Sequence, residues 1–305
     1  MSAVIDSPAY VTRQQLILLS QYSRTLELKP GRIHAGQAGN YQSRFKGRGM
    51  EYDESRYYQP GDDIRNIDWR VTARSGRVYT KLYREERERP VFIGVDFRNP
   101  MFFATRGRYK SVVAAEIASL LAWTANQQGD RVGGLIFSEQ ACRELKPQRG
   151  KQSVLHFINQ LCHHPVWQKN NNLPPSSNMP MDQALLRLHR LVRPGSLIFL
   201  LSDFRLFDKS ARSHLINLGR HNDVILVLIH DRLESELPQA GEYRISNGDN
   251  ELTIDTRSDT FRENYHSRFL QHRNELQQLC RSCKMNFLDC TTEDNPVTVL
   301  QKGLS

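Results

Sequence analysis

The feature that most constrains the fold of this chain is a set of apolar runs that each close in an aspartate. These runs lie at residues 91–96, 197–203 and 224–231. Continuous apolar runs of this length are typical of strands that are buried on both faces of a parallel sheet. Helical patterns separate them, as the crossover connections between parallel strands require. The sequence therefore predicts an α/β fold: a doubly wound, mainly parallel sheet with helices on both faces.

The same pattern analysis places the remaining elements. Helical periodicity predicts helices at residues 12–28, 110–127, 154–161, 181–192, 210–221, 260–284 and 296–300. Further strands are predicted at 77–84, 131–137, 141–145 and 286–290, and a hairpin joins 242–246 to 251–256. We expect the first helix to pack on the body of the fold. The apolar stripe of the helix at 260–284 is interpreted as core.

A charged segment at residues 44–89 has at its centre the sequence RYYQPGDDIRNIDWRVTAR, residues 56–74. The Pro60-Gly61 pair predicts a tight turn, and the irregular pattern argues against a helix. Arginines alternate with carboxylates, and bidentate Arg–carboxylate pairs are good at fixing loops. We therefore interpret the segment as a structural network that aromatic side chains cover. Its predicted members are Arg56, Gly61, Asp62, Arg65, Asp68, Trp69 and Arg74.

The same segment also allows a catalytic interpretation. Asp62, Asp63 and Asp68 lie within seven positions, and three carboxylates at such spacing could ligate a hard cation. Each has an arginine within a few residues, whereas a cation site needs uncompensated oxygen ligands. The structural interpretation is favoured for this reason. A metal-dependent hydrolase or nuclease that uses these three aspartates is kept as the alternative function.

Charge and composition limit the partners. The formal net charge is +9, which favours acidic partners. No run of five or more basic residues occurs, so nucleic acid is disfavoured, although a membrane-surface or nucleic-acid binder driven by charge alone stays a third hypothesis. No apolar window is long enough to span a membrane and no signal peptide is recognisable, so we expect a cytoplasmic protein. The five cysteines at irregular spacing are typical of reduced thiols.

The central motif carries a family resemblance. Its pattern R-x-Y-x-P-G-D-D-x-R-x-I-D-W-x-x-x-A-R follows Gly47-x-Gly49-x-Glu51 and precedes Lys81 and Glu85. This arrangement resembles the family called domain of unknown function 58. The resemblance implies a von Willebrand factor A-like domain after the motif and a MoxR-type AAA+ ATPase as partner. We therefore divide the chain into residues 1–89, an N-terminal helix and motif segment with short strands, and residues 90–305, the von Willebrand factor A-like α/β domain.

The resemblance also implies a divalent-ion site at the carboxyl ends of the strands, built on the pattern D-x-S-x-S, a threonine and a later aspartate. Asp96 matches the first position and Asp203 the last, but Arg98 and Pro100 stand where the serines are expected. Ser177 or a neighbouring residue is the candidate for the threonine. We predict a degenerate site without metal or cofactor, in which Arg98 bridges the two carboxylates.

Apolar residues next to this loop suggest two alternatives. Phe97, Met101 and Phe102 cluster where a metal-binding loop would be polar. They form either a protein interface or part of the core, and the sequence gives both equal weight. Because no complete catalytic set accompanies the motif, the predicted function is a non-catalytic protein-interaction module. It would act as an adaptor or assembly factor with a MoxR-type AAA+ ATPase and other proteins.

Overall fold

The computed structural model describes residues 8–28, 50–85, 89–139, 141–167, 181–246 and 251–304. These residues fall into two compact units. Residues 8–28 and 89–304 belong to one, called here the α/β unit, and residues 50–85 belong to the other, the motif unit. The N-terminal helix therefore joins the α/β domain, and not the motif segment with which the sequence analysis had grouped it.

The described residues form the following elements, named in chain order. The α-helices are α1 (Arg13–Leu18), α2 (Trp69–Ser75), α3 (Lys110–Gln127), α4 (Lys151–Cys162), α5 (Met181–Leu191), α6 (Lys209–His221), α7 (Arg232–Ser235), α8 (Asp259–Ser282) and α9 (Pro296–Leu304). The strands are β1 (Met50–Tyr57), β2 (Tyr79–Glu85), β3 (Pro90–Asp96), β4 (Arg131–Phe137), β5 (Cys142–Gln148), β6 (Leu197–Ser202), β7 (Asp223–His230), β8 (Glu242–Ser246), β9 (Glu251–Asp255) and β10 (Asn286–Thr291). Short 3-10 helices are Leu19–Thr25, Ile64–Asn66, Asn99–Met101 and Pro165–Trp167.

The central sheet of the α/β unit has the strand order β10-β7-β6-β3-β4-β5. Its strands are parallel except β5, which pairs antiparallel with β4 at the edge. The predicted doubly wound, mainly parallel sheet is confirmed. The order reverses between β6 and β3, which is the place where open α/β sheets leave a crevice at the carboxyl ends of their strands. The three aspartates that end or directly follow β3, β6 and β7 lie at these carboxyl ends.

Helices cover both faces of the sheet, and each face has its own hydrophobic core. One core contains residues of α3 together with α1, α4 and α9, and the other contains residues of α5, α6 and α8. The first helix packs on the body as expected, because Ser119 Oγ and Trp123 Nε1 donate hydrogen bonds to the carbonyl of Leu16 at 2.8 and 3.2 Å. Burial on all sides explains why α3 is apolar around most of its circumference.

The motif unit is built on an antiparallel pair, β1 with β2. The prediction that this segment holds no helix is wrong, because α2 follows the turn. Asp68 caps its start through bonds from the amides of Arg70 and Val71, and Gly76 ends it with φ 69°. An aspartate before the first helical residue and a glycine after the last are ordinary helix boundaries. This signal was present in the sequence.

Two further predictions concern the hairpin and membrane-spanning segments. Strands β8 and β9 pair antiparallel, which confirms the hairpin, while the residues that connect them, 247–250, lie outside the described residues. Within the described ranges, none of the helices combines the length and the apolar character that crossing a bilayer requires.

Candidate functional site

The carboxyl ends of the strands hold a cluster of buried charges, called here the strand-end cluster: Asp96, Arg98, Lys110, Asp203 and Glu234. All five are buried. Buried charges are costly unless they are paired and hydrogen-bonded. The arrangement of these pairs therefore decides what chemistry this edge of the sheet can support.

Asp96 is paired with Arg98, as predicted. The Arg98 Nη2 lies 2.7 Å from Asp96 Oδ2 and its Nε lies 3.0 Å from Oδ1, while the Arg98 amide donates to the same carboxylate at 2.9 Å. Ser202 Oγ donates a further bond of 2.6 Å. Burial alone would lower the pKa of Arg98, but the bonds and the charge of Asp96 outweigh it and raise that pKa above its ordinary value. Arg98 therefore keeps its positive charge.

Asp203 is paired with Lys110, and the predicted bridge from Arg98 is wrong. The Lys110 Nζ lies 2.8 Å from Asp203 Oδ2 and 2.7 Å from Glu234 Oε1. The guanidinium of Arg98 is already taken up by Asp96, and the start of α3 brings an ammonium between the end of β6 and α7. Asp96 and Asp203 are therefore each paired with a different cation.

Lys110 was not predicted to be a site residue, although the sequence contains a pattern that points to it. It is the first residue of α3 and it is fully buried. A cation in the first turn of a helix is unfavourable towards the positive end of the helix dipole. A lysine placed there, at the head of a long apolar helix, therefore indicates a specific carboxylate partner elsewhere in the chain.

Asp231 closes β7 and is satisfied without a cation. It accepts hydrogen bonds from the amide and hydroxyl of Thr105, from Thr292 Oγ1 at 2.7 Å, and from the Leu233 amide at 2.9 Å. Burial would raise the pKa of Asp231, but these hydrogen bonds outweigh it and hold that pKa below its ordinary value. Glu234 completes a capping box with it. Asp231 thus anchors α7 to the sheet.

These residues do not fit a divalent ion. Asp96 and Asp203 already accept bonds from side-chain cations, and a hard cation needs oxygen ligands that are not compensated in this way. The serine positions of the implied pattern hold Arg98 and Pro100, while Ser177 lies outside the described residues. Across the described parts of the chain, no group of three or more His, Cys, Asp or Glu residues is arranged to hold a metal.

Phe97 and Met101 are core residues, so the interface alternative is wrong for both. They are fully buried, and Phe102 packs half-buried against the same core. The Phe97 ring lies 5.1 Å from that of Trp167 and 5.5 Å from that of His164. The 3-10 helix at Asn99–Met101 folds the loop back over the sheet. Burial of such side chains stabilises the fold by about 1.5–3 kcal/mol each.

Part of the predicted network in the motif unit is confirmed. Arg56 Nη2 lies 2.8 Å from Asp62 Oδ1, and the Gln59 amide donates to the other oxygen at 2.9 Å. Gly61 has φ 107°, which only glycine adopts without strain, so the predicted turn is present. The Gln59 amide bond and the Arg56 pair hold the pKa of Asp62 below its ordinary value.

Fewer residues take part in this network than the sequence predicts. Asp63 caps the short 3-10 helix at Ile64–Asn66, and Asp68 accepts bonds from two amides of α2 and from Ser55 Oγ. Because backbone amides satisfy these carboxylates, the arginines expected on them remain in water. Arg65 and Arg74 are exposed and make no ion pair within the described residues, and Trp69 is 66% exposed instead of covering the network.

Known proteins match both the motif unit and the α/β unit of this chain. A family model described as "Protein of unknown function DUF58" covers residues 54–275. The chain belongs to this family. Uncharacterized proteins of Mycobacterium bovis and Mycobacterium tuberculosis are 25% identical to it over 279 residues, which is 88% of this chain and 84% of theirs.

Solved structures similar to this DUF58 chain include two distant ones. The conserved hypothetical protein BatB from Bacteroides thetaiotaomicron is 12% identical, with a TM-score of 0.43 over 71% of this chain and 97% of that one. A von Willebrand factor type A protein from Catenulispora acidiphila is also 12% identical, with a TM-score of 0.39 over 74% of this chain and 43% of that one.

A groove of about 830 Å³ lies beside the strand-end cluster of this DUF58 protein, between the β6–α6 loop and α8. The loop contains Phe204 and Leu206, which have φ 52° and 56° although neither is glycine. This conformation presents Leu206 to solvent, where it is 84% exposed. The apolar stripe of α8 predicts core along its whole length, so this groove was not predicted from the sequence.

Proposed function

We propose that this DUF58 protein is a non-catalytic protein-interaction module that works as an adaptor or assembly factor with a MoxR-type AAA+ ATPase. The observation that supports it best is the internal pairing of the strand-end carboxylates. Asp96 is bonded to Arg98, Asp203 to Lys110, and Asp231 to two threonines. A general base or a metal ligand needs a lone pair that substrate or metal can reach. These three aspartates serve the fold instead.

The ATPase as partner rests on the family resemblance of the motif. The net charge of +9 supports an acidic protein surface as the counterpart, since complementary charge speeds association and disfavours wrong partners. The exposed Trp69 and the arginines around it also suit binding, because tryptophan and arginine contribute strongly to the energy of protein interfaces.

Affinity purification of the tagged chain from its native cells, with crosslinking and quantitative mass spectrometry, tests the proposal. We expect a MoxR-type ATPase at near-stoichiometric amount, and its absence from a tagged unrelated protein of similar charge. Repeated absence of the ATPase under crosslinking would contradict the proposal. So would magnesium- or manganese-dependent cleavage of phosphodiesters by the purified protein, if Asp62→Ala and Asp68→Ala abolish it.

A further inference from the structure

The apolar stripe of α8 continues beyond the core that it helps to form. Leu276 and Leu279 are buried in the core shared with α5 and α6. Closer to the N-terminus of the helix, Phe269 and Tyr265 are only half-buried and line the groove. The part of α8 that lines the groove without being buried in the core, from Tyr265 to Glu275, is about 15 Å long at 1.5 Å per residue. The groove therefore has the length of about three helical turns.

The opposite wall of the groove is also apolar. Phe204 forms part of its floor, and Phe207 and the exposed Leu206 stand on the β6–α6 loop. A leucine held in water by a left-handed backbone conformation adds nothing to the core, and that conformation is unfavourable for a residue with a side chain. An apolar partner in the groove would cover it.

The rim of the groove carries uncommitted positive charge. Lys209, Arg212 and Arg268 are exposed, and none makes an ion pair within the described part of the chain. Two carboxylates lie on the rim as well, Asp208 bonded to the Ala211 amide and Glu275 bonded to Gln271, and these neutral donors leave their charge in place. Because Arg205 pairs with Glu234 and the three cations outnumber these two carboxylates, the rim carries a net positive charge.

The groove is connected to the strand-end cluster. Arg205 lies on its rim and binds Glu234 Oε1 at 2.8 Å, the same oxygen that Lys110 binds at 2.7 Å. A carboxylate that approached Arg205 would compete with Glu234 for this guanidinium. Occupation of the groove would thus be felt at the buried network.

We propose that this groove binds an amphipathic helix of a partner protein, with bulky apolar residues on one face and acidic residues beside them. The proposal rests on the proposed function and specifies the chemistry of the partner. Its length suits a helix of about three turns, its floor takes apolar anchors at i, i+3, i+4 and i+7, and its three free cations take the acidic residues. A nucleic acid would need an extended cationic surface more than a narrow apolar floor.

Fluorescence anisotropy with two synthetic peptides tests this groove. One peptide is a labelled helix with Leu and Phe at i, i+3, i+4 and i+7 and Glu between them, and the other has the same composition with the apolar positions scrambled. We expect the full chain to bind the first peptide at least about tenfold more tightly than the second. Absence of binding to the first peptide at about 1 mM would overturn the proposal.

Two matched double variants locate the binding. Arg212→Glu with Arg268→Glu should weaken binding at least about tenfold. Lys151→Glu with Arg281→Glu makes the same charge change in the first turn of α4 and in α8 beyond the groove, and should alter it less than about twofold. Leu206→Asp should also weaken binding about tenfold, and because Leu206 is exposed and aspartate tolerates a positive φ, this variant should fold.

Three outcomes would overturn the groove as the binding site. The first is that both double variants bind the apolar-faced peptide with equal affinity. The second is that Leu206→Asp binds this peptide as tightly as the parent protein does. The third is that a single-stranded oligonucleotide binds at the same residues more tightly than the peptide. Copurification of the ATPase with the Arg212→Glu, Arg268→Glu variant would leave the proposed function intact while the groove proposal fails. Peptide binding in the expected pattern without any copurified ATPase would mean that the proposed function fails and the groove proposal stands.

Discussion

The strand-end cluster and the motif unit both place carboxylates among arginines or lysines, but they satisfy these carboxylates in different ways. In the strand-end cluster, Lys110 and Asp96 are fully buried and bound to opposite charges. In the motif unit, the side chains of Arg56 and Asp62 remain 25% and 16% exposed, and Asp63 and Asp68 bind mainly backbone amides. The same residue types therefore act as a buried charge network in one region and as turn and helix caps in the other.

We infer from this difference that burial and the kind of partner, and not the charge pattern alone, set how much a charged residue contributes to stability. Removal of one partner from a buried pair leaves a charge that water cannot reach. Removal of one partner at the surface leaves a group that water solvates. The four predictions below test this comparison, in order of decreasing effect.

Lys110→Met should give the largest effect. It removes the buried ammonium that Asp203 and Glu234 share and leaves only the half-exposed Arg205 beside them, and loss of one partner from a buried pair costs about 3–5 kcal/mol of unfolding free energy. Urea unfolding followed by circular dichroism measures it. The control is Lys209→Met, which is exposed on α6 and should change stability by less than about 0.5 kcal/mol. Equal losses in the two variants would refute the contrast between buried and exposed charge.

His164 extends the comparison to a buried ionisable group that packs against an aromatic ring, that of Phe97. Burial, with the charge of Arg143 adding to it, lowers the pKa of His164 to about 4, from 6.5 in the unfolded chain. Between these values the unfolded state binds more protons, so this contribution is fully present above pH 6.5 and is lost as the pH falls towards 4. The expected loss is about 3 kcal/mol.

Urea unfolding across pH 4–7 measures this loss, with His164→Phe as the control. Phenylalanine keeps an aromatic ring at the site and cannot take up a proton. The variant should therefore show a flatter dependence of stability on pH in that window. An identical pH dependence in both proteins would show that His164 does not titrate as its burial implies.

Asp68→Ala should have a smaller effect than Lys110→Met. It removes the cap of α2 and the acceptor for Ser55, but Asp68, although buried, makes no ion pair within the described residues, so its loss leaves no buried cation unpaired. Faster hydrogen–deuterium exchange at residues 69–75 should report the loss of the cap. Trp69→Ala, next to it on α2, should change the unfolding free energy by less than about 0.5 kcal/mol because Trp69 is exposed. A loss from Asp68→Ala as large as that from Lys110→Met would mean that bonds from backbone amides weigh as much for a buried carboxylate as an ion pair does.

The last prediction is that the protein binds no divalent ion at the strand-end cluster. Magnesium or manganese titrated into EDTA-treated protein should give no binding heat in calorimetry, because Arg98 and Lys110 already neutralise Asp96 and Asp203. The matched control is the Asp203→Ala variant under the same conditions. Micromolar binding by the parent protein that disappears in this variant would show that a metal displaces the internal cations.

The sequence by itself determined the α/β sheet, its helices and the position of three aspartates at one edge. These features follow from local periodicity, because an apolar run of strand length between helical patterns has few ways to fold. The turn at Gly61 was equally local, since its backbone conformation favours glycine whatever surrounds it. The cap at Asp68 was also local, although its helix was overlooked.

Only the tertiary structure decided which charges pair and which aromatic residues are buried. Lys110 and Asp203 lie 93 positions apart, so no spacing in the sequence links them. Phe97 is buried and Trp69 is exposed, although both stand beside charged residues. The stripe of α8 reads as core along its whole length, yet the core covers only its C-terminal half. Burial depends on what other segments pack over a residue, and these segments are brought together only when the chain folds.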